Sequence, residues 1–380
     1  MDFELSEEQK MFQAMVRDFA AKELAPGAAK RDEDATFPGE AIKKMGDLGL
    51  LGVSYPEKYG GSGGDSVQQA ILVEEICRVE AGAGTVYVGT ISLCTYPIYK
   101  FGSEEVKKRL VPALLQGNKI GCFALTEPGA GSDATAIQTS AVKEGNEYVL
   151  NGSKIFITNG GEADVITVFV TLDRSLRHRG IIALVLDSKT KGFSVGKKEH
   201  KMGIRCSSTT ELIFENCRVP AANLLSEEAK GFNVAIDTID SSRTAVAAQA
   251  VGIAQGAFDA ALQFSKDRQQ FGQAIYGFQA IQWMLADMAT QVEAARLLTY
   301  QAAQLKDHGK PFVKQSAMAK LFASEAAMWV TTKAVQIHGG YGYVKEYPVE
   351  RYFRDAKITE IYEGTSEMQR MTIARHLLRG

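Results

Sequence analysis

The hydrophobic period of this 380-residue chain changes twice along its length. Met11, Phe12, Met15, Phe19 and Ala20 recur at helical spacing, and the blocks GEAIKKMGDLGLLGV and QQAILVEEICRV continue it. From about Cys122 the apolar runs become short and strand-like. VITVFVTL (165–172), IIALVLD (181–187) and TELIFENCRVP (210–220) are bounded by Gly, Asp or Pro. After Gly231 the helical spacing returns, with Ala247, Val251, Ala254, Phe258 and Leu262 on one face. Ile281, Leu285, Met288, Val292 and Ala295 mark another. Periods of 3.6 and 2 belong to different elements, so the chain reads as helices, then a β-barrel or sandwich, then a helical bundle. Small residues on the later stripes predict close antiparallel packing that often extends into a subunit contact.

Local signals refine this outline. Ser6 before Glu7, Glu8 and Gln9 predicts a helix N-cap with acids in the first turn. Asn151-Gly152, between two alternating runs, predicts a hairpin turn. EKYGGSGGD (57–65) reads as a flexible connector.

A chain of this length exceeds the usual span of one core, so several subdomains are expected. The 43 basic and 45 acidic side chains nearly cancel, leaving no net field to hold a nucleic acid. Cys77, Cys94, Cys122, Cys206 and Cys217 are odd in number and lack C-x-x-C spacing, as expected for reduced thiols in a cytoplasmic compartment. Five dispersed histidines give no metal-ligand spacing. The acidic, helix-like start has no export-signal pattern. No run of about 18 uninterrupted apolar residues marks a membrane span.

Several motifs admit two readings. In CFALTEPGAGSDAT (122–135), Gly129, Gly131 and Ala134 fit a loose dinucleotide pattern. The chain then enters β-type segments, so the strand–helix context of a Rossmann site is missing. A tight turn remains, or a turn presenting amides and Ser132 to an anion. In SKIFITNGG (153–161), Phe156 and Thr158 share a strand face, either as an ordinary pair or to cover and bond a planar ring. Arg268 in DRQQFGQAI and His338 in QIHGGYGY stand at helix ends, where dipole and capping alone explain them. In IYEGTSEMQR (361–370), Glu363 between apolar neighbours and Gly364 is either a capping acid or a carboxylate desolvated for proton transfer. Thr365 and Ser366 already supply capping hydroxyls, which favours the second.

Together and in this order, TEPGAGSD, GSKIFITNGG, KMGIRCS, DRQQFG, QIHGGYGY and IYEGTSEMQR resemble the acyl-CoA dehydrogenase family, and within it the short-chain, butyryl-CoA-type members. The resemblance spans the chain. It implies an α+β multidomain fold: a helical domain (1–121), a β-barrel domain (122–228) and a four-helix bundle (229–380). It also implies FAD, an acyl-CoA thioester, a homotetramer and an electron-transferring flavoprotein as acceptor.

By motif, Glu363 corresponds to the catalytic base. Leu125, Thr126, Phe156 and Thr158 correspond to flavin contacts, and Ser132 to a group near the pyrophosphate and pantetheine. Arg268, Gln270 and Phe271 resemble contacts to the ADP half of FAD in a neighbouring subunit. Gln336, Gly339, Gly340, Thr365 and Glu367 match further FAD contacts. Phe232, Asp240 and Arg243 resemble the CoA and thioester channel, with Tyr362 and Gly364 flanking the base beside the substrate. Ser241 and Ser242 leave no carboxylate where some relatives place their base.

The implied reaction removes an α-proton to Glu363 and a β-hydride to flavin N5, giving a trans-2-enoyl-CoA. Enoyl-CoA reduction by the same site, or a branched, cyclic or dicarboxylic substrate, is the alternative. The segment 83–99 contains no Arg or Lys and carries Tyr87, Thr95 and Tyr96, which favours a short apolar acyl chain.

Overall fold

A computed structural model describes residues 4–378. The outermost residues of the first and last expected domains, including the start of the acidic N-terminus, lie outside that range. The expected order of helices, β domain and helices is found.

Helix α1 (Glu7–Phe19) opens with a capping box in which Ser6 and Gln9 satisfy each other's backbone N–H groups. It is followed by α2 (Ala25–Asp34), α3 (Gly39–Asp47), α4 (Ser66–Cys77), α5 (Ala81–Tyr87), α6 (Tyr96–Phe101) and α7 (Glu104–Leu115). Nearly every side chain of α4 is buried, including Glu74 and Glu75, whose carboxylates are paired with Arg296 and Arg17. The glycine-rich segment before it is no loose connector. Ser62, Gly63 and Gly64 donate backbone hydrogen bonds to Gly52, Tyr55 and Val53, pinning the loop to the chain that precedes it. The glycines are there for close backbone approach: a Cβ on Gly61 would lie 2.1 Å from the Tyr55 carbonyl oxygen.

The middle domain contains β1 (Gly121–Ala124), β2 (Ser140–Glu144), β3 (Glu147–Thr158), β4 (Val165–Thr171), β5 (Ile181–Asp187), β6 (Phe193–Lys198) and β7 (Thr209–Pro220). They pair in the order β1-β4-β2-β3-β7-β6, with β5 on β4. Alternation divides β4 and β5 between two cores. Ile166, Val168, Val170, Ile182, Leu184 and Leu186 share an inner core with Tyr148, Leu150, Leu212 and Phe214. Val165, Phe169, Ile181, Ala183 and Val185 face the helical core instead. Strands from distant parts of the pairing order thus enclose one interior, so the sheet is curled.

Asn151-Gly152 is not the hairpin turn. The β2–β3 hairpin turns at Gly145-Asn146, where Gly145 has φ +59°. Asn151 falls inside β3, at a register shift against β7. It exchanges hydrogen bonds with Asn216 there, and Gly152 passes against Thr139 with φ +139°.

The C-terminal domain holds three long helices, α8 (Gly231–Asp267), α9 (Gln279–Asp307) and α10 (Val313–His338). The shorter α11 (Val349–Ala356) and α12 (Ser366–Leu378) pack on α10. Small residues let α8 run through the centre: a Cβ on Gly256 would meet the Arg78 carbonyl oxygen at 2.2 Å. Among the described residues, α8 alone is long and apolar enough to cross a membrane, and 72% of its most apolar window is buried inside the protein. The seam between the β and C-terminal domains adds a polar contact to this apolar packing. Asp355 accepts the Ile204 N–H, and Arg354 joins Asp32 to the Met202 carbonyl.

Candidate active site

Glu363 lies in a sharp reversal between a short 3₁₀ turn (Lys357–Glu360) and α12. Both it and Gly364 take left-handed backbone, with φ +53° and +95°. For a residue with a Cβ that geometry costs roughly 1–2 kcal/mol, so the surroundings must hold it. They do. Gln369 Nε2 donates to the carbonyl oxygens of Glu363 (3.3 Å) and Gly364 (2.7 Å), and Lys320 Nζ donates to that of Gly364 at 2.8 Å. Thr365 Oγ1 accepts from Met368 N and caps α12, whereas the Ser366 hydroxyl has no partner. Gly364 thus serves a turn packed under the Gln369 amide, in addition to any ligand approach.

The Glu363 Oε2 atom is buried and accepts no hydrogen bond. Burial pushes the carboxyl up to about 7. The Ser242 hydroxyl, close but outside hydrogen-bond geometry, and the Lys320 and Arg243 charges hold it from rising further. Arg243 pairs with Asp240 one turn back on α8, both largely buried. The Tyr362 hydroxyl donates to Gln249 Oε1, and Gln249 Nε2 donates to Thr85 Oγ1 at 2.7 Å. The residue beside the acid is thereby tied to α8 and α5. The Glu363 N–H has no acceptor among the described residues.

A second group lies at the edge of the β domain. Leu125 is buried and its carbonyl accepts from Lys154 Nζ at 3.0 Å, while the Thr126 carbonyl accepts from Ile155 N at 2.9 Å. Glu127 completes a buried ion pair with Lys154 (2.6 Å) and accepts from Thr139 N. Phe156 sits in a second irregularity of β3, with φ +56°, which leaves its ring 60% exposed. Thr158 follows at the strand end, fixed by the buried Asn159 amide on the Val86 and Gly121 carbonyls. Ser132 is exposed, and Gly129 and Gly131 face open space with no protein atom in reach of an added Cβ.

The third group stands at the far end of the bundle. Arg268, Gln270, Gly339 and Gly340 line a cavity of about 530 Å³ with Phe264 and Tyr341. Phe271 nearby is 92% exposed, and Gln336 is exposed but outside the cavity lining. Arg268 lies about 37 Å from Arg243 along α8, so the cavity and the acid are separate places within one chain. Thr365 and Glu367 flank the acid, and Glu367 is held low first by the Thr365 hydroxyl. The Phe232 ring, at the start of α8, meets that of His178 at 6.3 Å. Sequence reasoning missed Lys320, Ser242, Gln249 and Gln369. Only Lys320 carried a signal, as a lone cation on an Ala-rich stripe.

A buried acid poised near neutrality and a strand end with an exposed Phe156 and a half-buried Thr158 are the chemistry-bearing parts of a three-part α–β–α chain. Three family models match in order: the acyl-CoA dehydrogenase N-terminal domain over residues 6–118, the middle domain over 122–217 and the C-terminal domain over 229–378. The chain belongs to the acyl-CoA dehydrogenase family, whose members are flavoproteins that oxidise the CH–CH group of acyl-CoA. It is 50% identical to the butyryl-CoA dehydrogenase of Megasphaera elsdenii, with a TM-score of 0.98 and both chains fully covered. It is 52% identical, with a TM-score of 0.99, to a chain in the solved structure described as the electron transferring flavoprotein of Acidaminococcus fermentans, again over all of both chains. The acryloyl-CoA reductase (NADH) of Anaerotignum propionicum is 49% identical over 384 aligned positions, covering 100% of this chain and 96% of that protein.

Proposed function

We propose that the protein oxidises a short-chain acyl-CoA to the trans-2-enoyl-CoA, with Glu363 taking the α-proton. The observation that carries this is the buried, unbonded Glu363 Oε2, raised to about 7. A base near the working pH combines a useful anionic fraction with the strongest pull on a weakly acidic C–H. The unpaired Glu363 N–H is available to a thioester carbonyl oxygen, where charge develops as the proton leaves. Arg243 and Asp240 shape the channel beside it, and Tyr362, held by Gln249, walls the acid from water.

FAD fits the residues present. Gly129 and Gly131 in the β domain, and separately Gly339 and Gly340 at the bundle end, leave open space where side chains would stand, and Phe156 is exposed at its strand end. Leu125, Thr126, Phe156 and Thr158 would hold the ring system and Ser132 the pyrophosphate region, with Thr365 and Glu367 nearby. Bound there, the flavin supplies the hydride acceptor. Arg268, Gln270, Phe271, Gln336, Gly339 and Gly340 would serve the cofactor of a second copy, which the span of about 37 Å along α8 between Arg268 and Arg243 favours and which fits a homotetramer. An electron-transferring flavoprotein is the proposed acceptor, supported by the likeness to the Acidaminococcus fermentans chain. Five buried, unpaired cysteines suit a reducing cytoplasm.

The test is anaerobic titration of the purified yellow protein with butyryl-, glutaryl- and branched acyl-CoA, following flavin absorbance. Rapid bleaching by butyryl-CoA, abolished in Glu363→Gln, is expected; bleaching of the variant at the normal rate overturns the assignment. The likeness to the acryloyl-CoA reductase favours a second reading, enoyl-CoA reduction by the same residues. Faster turnover of an enoyl-CoA with a reduced donor than of butyryl-CoA with an oxidised one would select it.

A further inference from the structure

Thr158 is flanked at the end of β3 by two residues in left-handed backbone, Phe156 at φ +56° and Asn159 at φ +64°. Asparagine enters that region more readily than other residues with a Cβ, so Asn159 suits the turn for its backbone alone. Its side chain does something the turn does not need. Fully buried, Nδ2 lies 3.1 Å from the Val86 carbonyl oxygen, 3.1 Å from that of Gly121 and 3.2 Å from Thr90 Oγ1. Two of these partners are carbonyls and only accept, which fixes the nitrogen end of the amide towards them. The main chain is held as well: the Asn159 N–H donates to the Ser208 carbonyl at 2.9 Å, and its own carbonyl accepts from Glu162 N at 3.0 Å. The Oδ1 atom, by contrast, is buried without a partner, so the side chain is kept there for its donors.

Two of the acceptors belong to the N-terminal domain. Val86 lies in the last turn of α5, and Thr90 in the buried π-helical stretch Val88–Thr95 that continues it. Such turns are rare and concentrate at functional sites. Gly89 lets this one come close to the strand end: a Cβ there would lie 2.8 Å from Asn159 Nδ2 and 3.2 Å from Thr158 Cγ2. Thr90 Oγ1 also stands 3.4 Å from both the N–H and the carbonyl oxygen of Gly121, at the start of β1. One amide thus ties an N-terminal helix, β1 and the end of β3 at a single point. Thr158 Oγ1 makes no hydrogen bond among the described residues, so the backbone on either side sets its place.

We propose that Asn159 is a positioning residue for the hydride step: by clamping the strand end to the π-helical stretch, it holds the Thr158 hydroxyl where the edge of a flavin ring can meet it. This rests on the proposed placement of the ring beside Phe156 and Thr158. Being fully buried, Asn159 acts through Thr158 rather than on the substrate. A misplacement of about 1 Å can cost about a hundredfold in rate, so a clamp of this kind matters more to turnover than to substrate binding.

The test uses Asn159→Gly, which keeps the left-handed backbone and removes the donors, and Gly89→Ala, which keeps the donors and pushes on Asn159 and Thr158 from the helix side. Bound FAD is quantified in each, so that only loaded enzyme is compared. Without substrate, the visible circular dichroism of the bound flavin should change in both variants. With butyryl-CoA, the limiting rate of anaerobic flavin reduction should fall about tenfold or more, with the half-saturating concentration within about twofold of wild type. A structural role alone would lower the urea midpoint and leave the flavin signal and the limiting rate per bound flavin unchanged; that result overturns the proposal. Gly89→Ala, a change of one methyl, carries the test alone should Asn159→Gly not fold. If no acyl-CoA bleaches the wild-type flavin, the proposed reaction fails, and the substrate-free signal then judges the clamp by itself: changed in the variants, the clamp on the ring's surroundings stands; unchanged, it falls.

Discussion

Lys320 Nζ lies 2.8 Å from the carbonyl oxygen of Gly364, the residue that follows the acid. Lys320 is fully buried, and burial brings its ammonium down to about 8. The contact couples a cation in the middle of α10 to the reversal that carries Glu363. Its positive charge also favours the anionic acid.

Replacing that charge should therefore move the acid. In Lys320→Met, the pH at which anaerobic reduction by butyryl-CoA reaches half its plateau should rise by roughly one unit. Gln369 still holds the Gly364 carbonyl in this variant, so the loop keeps one donor. A lowered plateau with an unmoved midpoint would assign Lys320 to folding alone.

The raised acid has its own signature in rate and stability. With Glu363 at about 7, kcat/KM should rise about tenfold per pH unit below 7 and level above it, because only the anion accepts the proton. Glu363→Gln should slow reduction by about 10²–10⁴-fold. A carboxyl whose folded value exceeds its unfolded one destabilises the fold at high pH, once it is forced to ionise, and costs nothing below the unfolded value. The Gln variant without substrate should thus melt several degrees higher at pH 8, the gain fading as pH falls from 7 towards about 4.5. Melting curves across that range check the sign.

Behind the strand edge, Lys154 and Glu127 form a buried pair that also anchors the Leu125 carbonyl. Lys154→Met strands a buried carboxylate and should cost about 3–5 kcal/mol in urea unfolding. Adding Glu127→Gln should recover much of that loss. Flavin retention on gel filtration should fall in the single variant, since Leu125 and Thr126 are the segment set loose.

The approach of α4 to α8 predicts a plain steric result. Gly256→Ala places a methyl 2.2 Å from the Arg78 carbonyl oxygen, so the helices must part. A loss of about 1–3 kcal/mol is expected, and an unchanged denaturation midpoint would refute the closeness of this contact.

The order of the three parts was legible because apolar period reports element type directly, and long helices such as α8 repeat it many times. Turn position was less so. Both Asn151-Gly152 and Gly145-Asn146 are turn dipeptides, and only the pairing with β7 decides that the first is a bulge. The 57–65 glycines misled for a related reason: the sequence displays freedom of backbone, not the Tyr55 carbonyl that uses it. Glu363 stood out through its apolar neighbours and the following glycine. Lys320 and Gln249 did not, since their burial arises from helices brought together only in the fold.

The seam where Asp355 accepts the Ile204 amide has a mechanical corollary. The proton acceptor belongs to the C-terminal domain and Thr158 to a strand end of the β domain, so the span a hydrogen must cross is governed by how the two domains pack against each other. Mild warming or a weakened latch, as in Asp355→Ala, should therefore extinguish turnover while helical circular dichroism stays intact.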